Sequence, residues 1–470
     1  MTDINDIPPE ILASVFELTI YTSSISSLRP LSIVCRHWHD VVEQTPRLWG
    51  IVLLRKQSSP AALEKQITKA KAAPLSITLF PGTRSAKHTK KVYQKLTDLS
   101  INWVMANVGT EFISACRWVA LYRSLEELTL CRGGPRYDEP GPFFNDVNAF
   151  TQREAKLRSF TATNLQKAWV IGFLGPSIRQ FCLVRGYPDL SEQVNYYTYR
   201  LYTRIADTWD YLSRLPEVIK VHLKHLKHND PKGFAPSVIR LSKLLTLHVE
   251  DVLQMPILLS YIAAPHLQTL CIDQRQIEPL SFSFRNPSPV APLFACWSDP
   301  SFLPANLHTL ELRDCLEITD VPYLIRWLER LPNLIRLFIG DGSNVLGKAP
   351  SRLSPDDGES NLYRALAHPM TRQDGESFWL CPSLMILHLD ADQDIGELLS
   401  IARTRGGIAS AMHDIPPPNR LRRVEALLCN TGREEEIELL GSLVDQAYCL
   451  CTSCGLRVLS KATNRLVSKN

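Results

Sequence analysis

The sequence predicts an α/β chain, with a compact helical block at the N-terminus followed by an irregular repeat array that sets a parallel sheet on one side and helices on the other. Two observations carry this. The first fifty residues hold three apolar segments at helical spacing. Beyond them one short phrase returns eight times: aliphatic, two residues, aliphatic, one residue, aliphatic.

The helical block opens with "DIPPEILASVFELTI". An acidic residue and two prolines suit a helix start, and Ile11, Leu12, Val15 and Phe16 then recur at i, i+1, i+4 and i+5, which makes one apolar face. In "TSSISSLRPLSIVCRHWHDVVEQTP", Ser26 or Ser27 can cap a short helix carrying Leu28 and Leu31. The next helix ends before Pro46. "RLWGIVLL" adds a final turn with Leu48 and Trp49 and runs into the β-prone Ile51 to Leu54.

"VCRHWHDVV" gathers one cysteine and two histidines, all good metal ligands. Helical residues two apart stand roughly 160° from each other, so His37 and His39 do not share an ion. Cys35 and His39 do have ligand spacing. However, Val34, Cys35, Trp38, Val41 and Val42 fall within an arc of roughly 120°, the apolar stripe of a packing helix. The expectation is a packing helix with Cys35 as a small buried hydrophobe and no metal. Three short helices cannot bury so many large apolar groups among themselves, so part of this face must meet a partner or the rest of the chain.

The elements Ile7-Pro8-Pro9-Glu10-Ile11-Leu12, Val34-Cys35-Arg36-His37-Trp38 and Pro46-Arg47-Leu48-Trp49 resemble the F-box in order, spacing and residue type. Ile7 stands for the usual leucine, and Pro30 interrupts the middle segment. The resemblance implies a three-helix F-box that docks on the Skp adaptor of SCF-type cullin–RING ubiquitin ligases. The interface it implies comprises Pro8, Pro9, Ile11, Leu12, Phe16, Leu28, Leu31, Val34 and Trp38. Aromatic and aliphatic anchors on a small helical unit are the ingredients of a binding hot spot.

The repeated phrase appears as "LEELTL", "IRQFCL", "VIKVHL", "LLTLHV", "LQTLCI", "LHTLEL", "LIRLFI" and "LMILHL", many of them shortly after a proline. The clearest unit, "LHTLELRDCLEITDVPYLIRWLERLPNL", places Cys315 after the strand and then an amphipathic helix through Leu324, Ile325, Leu328 and Leu331. It resembles the cysteine-containing leucine-rich repeat. Irregular spacing elsewhere implies a degenerate solenoid with insertions. The expected domains are an F-box at 1–54, a linking helical and strand segment at 55–120, the degenerate leucine-rich-repeat array at 121–460 and a tail at 461–470. The combination resembles fungal F-box proteins of leucine-rich type.

Four longer connectors interrupt the array, at 131–150, 186–204, 275–305 and 340–380. The second carries Tyr196, Tyr197, Tyr199 and Tyr202, an aromatic surface suited to target contacts. "GSNVLGKA" (342–349) nearly matches a phosphate-binding loop, but Ala349 stands where a hydroxyl should hold magnesium and Pro350 stops the helix. "CLCTSC" brings Cys449, Cys451 and Cys454 together. A structural zinc site needs four ligands, and the nearest fourth thiol is Cys429, so capping of the array's end is the preferred reading. There is no eight-ligand RING spacing, no Gly-x-Ser-x-Gly elbow and no His-Glu-x-x-His helix. No catalytic residue, cofactor or metal is therefore expected, and the chain is read as a non-catalytic adaptor.

Formal net charge is only +4, too small for a field that would argue for nucleic acid or an anionic membrane. The acidic start "MTDINDIPPE" is unlike a secretory signal, and no apolar run approaches membrane-spanning length. Most of the twelve cysteines stand alone between apolar neighbours, the usage of buried thiols in a cytosolic or nuclear protein. The expected partners are the Skp adaptor, through it a cullin, and a target protein. The function expected is that of a substrate receptor of an SCF-type ligase; the alternative is a leucine-rich-repeat interaction scaffold that delivers nothing for ubiquitination.

Overall fold

The computed structural model describes residues 6–22, 28–54, 60–79, 96, 102–110, 112, 124–131, 156–185, 205–226, 237–252, 255–274, 306–316, 320–340, 362–372, 374–392, 395–406, 415–416, 418–427, 434–449 and 457–460. Its chain divides into two compact units, Met1–Leu201 and Tyr202–Asn470.

The first unit begins with four helical segments: α1 (Pro9–Thr22), α2 (Leu28–Ser32), α3 (Arg36–Gln44) and the single turn α4 (Pro46–Trp49). Three helices were expected; Pro46 at the first position of α4 makes the closing turn a helix of its own. Leu12, Ala13, Phe16, Ile20, Leu28, Val41, Val42 and Leu48 form the core of this block, with Leu31 and Trp38 half-buried against it. Trp38 meets Phe16 edge-on at 4.9 Å. Pro30 is accommodated inside α2 because the helix is only 5 residues long and its first N–H groups need no intrahelical acceptor.

Cys35 does not lie on the stripe of α3. It is the N-cap, in extended conformation, with its sulfur accepting the Trp38 N–H at 3.5 Å. Val34 lies before the helix and is exposed. The apolar face of α3 thus shrinks to Trp38, Val41 and Val42.

Strand β1 (Ile51–Leu54) follows, then α5 (Pro60–Ala70) and β2 (Leu75–Leu79). β1 pairs in parallel with β2, Ile51 opposite Ser76. The sheet therefore begins inside the block expected at 1–54, and well before the array boundary expected at 121. Gln66 ties α5 to this junction, its Nε2 donating to the carbonyls of Trp49 (3.0 Å) and Ile51 (2.8 Å). Gly50 is required by close approach, since a Cβ there would sit 2.5 Å from the Pro74 carbonyl oxygen. The unit continues through β3 (Trp103–Gly109), β4 (Glu127–Cys131), β5 (Ser159–Thr163), α6 (Lys167–Phe173) and β6 (Gln180–Val184). These strands pair in parallel, in chain order.

The second unit holds α7 (Ile205–Ser213), β7 (Lys220–Lys224), β8 (Ile239–Arg240), β9 (Thr246–Glu250), α8 (Met255–Leu259), β10 (Ile262–Ala263), β11 (Thr269–Asp273), β12 (Thr309–Arg313), α9 (Val321–Leu328) and β13 (Arg336–Gly340). It goes on with α10 (Leu362–Ala367), β14 (Met370–Thr371), β15 (Ser377–Phe378), β16 (Ile386–Asp392), α11 (Ile395–Arg405), β17 (Arg423–Leu427), α12 (Glu434–Leu443), β18 (Gln446–Cys449) and β19 (Arg457–Ser460). Its main sheet runs β7-β9-β11-β12-β13-β16-β17-β18-β19. All neighbours are parallel except the last pair.

Register explains the repeated phrase. Leu247, Leu270, Leu310, Leu337 and Leu387 stand opposite one another across five strands and are at most 1% exposed. The aliphatic residue two places later and the one three places before are buried as well in each of the eight copies. A strand alternates its faces every residue, so the second and third positions of the phrase point into the core together. Where the chain leaves a strand, Asn164, His225, Asp251 and Asp314 adopt left-handed backbone (φ 49–55°). Each donates its N–H to the last residue of the neighbouring strand, as Asp314 does to Gly340 O at 2.6 Å. Asp251 and Asp314 are thus turn residues, with side chains that tolerate this conformation. The architecture is a mixed α/β one with N-terminal helices and a long parallel sheet, compatible with a solenoid.

Candidate functional site

Helix α1 has two sides. Leu12, Phe16 and Ile20 face the core, while Ile11 (58% exposed), Val15 (50%) and Leu18 (67%) form an exposed stripe at i, i+4 and i+7. Ile33 (77%) and Val34 (57%) stand out of the turn after α2. Fully burying side chains of this size is worth about 1.5–3 kcal/mol each.

The residues expected at the adaptor interface therefore separate. Pro8, Pro9, Ile11 and Val34 are exposed, and Leu31 and Trp38 are half-buried. Leu12, Phe16 and Leu28 are 1–3% exposed and belong to the block's own core, because the apolar arc of α1 is broader than the side that packs inward. Val15, Leu18 and Ile33 were not among the expected contacts. Val15 had been read from sequence as part of the apolar face, and the i+7 position of Leu18 was the signal for extending it.

A second feature lies on the polar face of the second unit's sheet. Strand register sets His222, His248, Cys271, Glu311, Phe338, His388, Glu425 and Tyr448 in one row. The imidazoles of His222 and His248 stack at 4.2 Å and 2°. Glu250 takes a Lys224 Nζ–Oε1 ion pair at 2.5 Å, and its Oε2 lies 3.4 Å from His222 Nε2. Further along, Arg313 lies over Phe338 at 4.2 Å, and Phe338 stacks on His388 at 3.6 Å. His388 and Arg423 both engage Glu425.

Burial, then the neighbouring His248, pushes His222 down to about 4, and burial lowers His248 as well. Burial alone would raise Glu250 and Glu425. The Lys224 ion pair outweighs it at the first, and His388 and Arg423 outweigh it at the second, so both carboxyls lie below their usual range. Burial drives the Cys271 thiol up to about 12 and Cys381 likewise to about 12, so both are protonated and inert. Among the described residues, Cys35, Cys131, Cys182, Cys271, Cys315 and Cys381 form no disulfide.

Tyr196, Tyr197, Tyr199 and Tyr202, the "GSNVLGKA" loop, and Cys429, Cys451 and Cys454 lie outside the described residues. Cys449 ends β18, with its side chain outside the description. No described helix is long and apolar enough to cross a membrane.

Residues 4–55 match the F-box-like family. No curated protein matches the chain. The chain thus carries an F-box-like domain, which comprises α1 to α4 and β1, and domains of this kind typically bind Skp adaptors.

Proposed function

We propose that this chain is a substrate-receptor subunit of an SCF-type cullin–RING ubiquitin ligase. The F-box-like domain docks on the Skp adaptor, and a degenerate leucine-rich-repeat array holds a target protein. The observation that carries the reading is the exposed apolar stripe Ile11, Val15 and Leu18 on a domain of this family. Pro8, Pro9, Ile33 and Val34 supply further exposed contacts on the same domain. The array reading is supported by the in-register aliphatic ladder and the left-handed turn residues at strand ends. The chain performs no bond chemistry of its own; it raises the local concentration of a target beside the conjugating enzyme. Thiols that are buried or half-buried and form no disulfide among the described residues support a reducing compartment, the cytosol or nucleus.

Capture of the intact chain from cells tests this. The Skp adaptor and a cullin should be recovered with it, and at least one captured protein should rise in abundance when Ile11→Asp/Leu18→Asp replaces the native chain. Adaptor without cullin, or no change in any captured protein, would favour the non-ubiquitinating scaffold. Absence of the adaptor would refute both docking and ligase function.

A further inference from the structure

Parallel pairing of β7 with β9 sets His222 directly opposite His248, and Glu250 follows two residues later on the same face. One imidazole nitrogen from each histidine and one Glu250 carboxylate oxygen lie within 4.8 Å of one another. The His222 Nε2 atom is shielded from solvent and is left without a well-formed hydrogen bond, its nearest acceptor Glu250 Oε2 lying 3.4 Å away. A buried ligand atom without a hydrogen bond is costly in a merely structural ladder. His225, Glu250 and Asp251 form a second such donor group that shares Glu250, and His225 Nδ1 stands 3.0 Å from Asp251 Oδ2.

We propose that His222, His248 and Glu250 form a binding site for a divalent transition-metal ion of the zinc class. Two imidazole nitrogens and one carboxylate are a three-ligand set that leaves a fourth position open to water or to a partner's side chain. Nitrogen donors select this class over magnesium and calcium, which take oxygen. The side chains of His222 and Glu250 are 26% and 16% exposed, so the ion enters from the open face of the sheet. His225 and Asp251 form a carboxylate–histidine pair beside Glu250. Two rearrangements accompany loading. The imidazoles, parallel within 2°, turn so that their lone pairs converge, and the Lys224 ammonium, which now neutralises Glu250, is released. Lys224 is thus a built-in competitor of the metal.

The test is titration of the full chain with Co2+, followed by absorption and by competition with Zn2+. The expected result is one equivalent with nitrogen and oxygen d–d bands, no thiolate charge-transfer band, and displacement by Zn2+. His222→Phe and His248→Phe keep a stackable ring but remove a ligand, and each should weaken binding at least about tenfold. Lys224→Met should tighten it. No binding by the intact chain, or a thiolate-type spectrum, overturns the proposal, as does an affinity in both phenylalanine variants unchanged from that of the intact chain. If either phenylalanine variant loses its cooperative thermal transition, Lys224→Met decides alone: tighter binding supports the site, and unchanged affinity refutes it.

Discussion

Helix α1 of the F-box-like domain leaves Ile11, Val15 and Leu18 in solvent, whereas strand β12 of the second unit buries Leu310 and Leu312 completely. The two regions handle similar apolar content in opposite ways. In the sheet, each inward side chain is covered by the same position of the next strand, so the ladder satisfies itself and the other face carries a polar row. In the helical block, a 14-residue helix lies on a core too small to cover both its apolar sides. Exposed apolar area on a small domain is the mark of a docking element, and a fully buried ladder is the mark of a scaffold.

Three substitutions break or sharpen this contrast. The largest stability effect is expected inside the ladder, where Leu310→Ala removes a side chain packed between Leu270 and Leu337. It should cost about 2–5 kcal/mol in chemical denaturation and leave adaptor binding untouched. Next comes Arg405, 1% exposed, which donates to the carbonyls of Leu366 (3.1 Å), Cys381 (3.2 Å) and Leu380. Arg405→Met removes the charged donor shared by these buried carbonyls and should cost about 1–3 kcal/mol, read in the same way.

The smallest effect is at Glu425. Its carboxyl titrates lower in the folded chain than its unfolded value of about 4.3, so the unfolded state binds more protons as acid is added. The stability this group supplies is complete above about 4.3 and is lost as pH falls through the lowered folded value. Glu425→Gln should be less stable near neutrality and show a shallower loss on acidification than the native chain, measured by denaturant midpoints across pH.

The F-box-like domain and the eight aliphatic phrases were legible in sequence because order and spacing carry them. Other strands were hidden by substitution within the same phrase: Leu157, Phe160 and Ala162 at β5, and Leu421, Val424 and Ala426 at β17, are buried in phase but end on a small alanine instead of a large aliphatic residue. Ile51 to Leu54 read as β-prone, but that it opens the sheet was obscured because β1 finds its partner only at Leu75–Leu79, across a helix. Helical periodicity places Ile11 and Leu12 on one apolar arc, and only packing decides that Leu12 turns inward and Ile11 outward. The His222, His248 and Glu250 cluster was invisible for a related reason. Strand register, not sequence proximity, brings His222 and His248 together.

The central claim is that the outward stripe of the F-box-like domain, not its inward residues, makes the docking surface. The direct measurement is the affinity of purified Skp adaptor for the intact chain, for Ile11→Asp/Leu18→Asp, and for Leu310→Ala. The claim predicts that the stripe variant keeps its thermal midpoint, since surface changes usually alter stability by no more than about 0.5 kcal/mol, yet loses the adaptor, whereas Leu310→Ala binds normally. Undiminished binding by a folded Ile11→Asp/Leu18→Asp chain would contradict it.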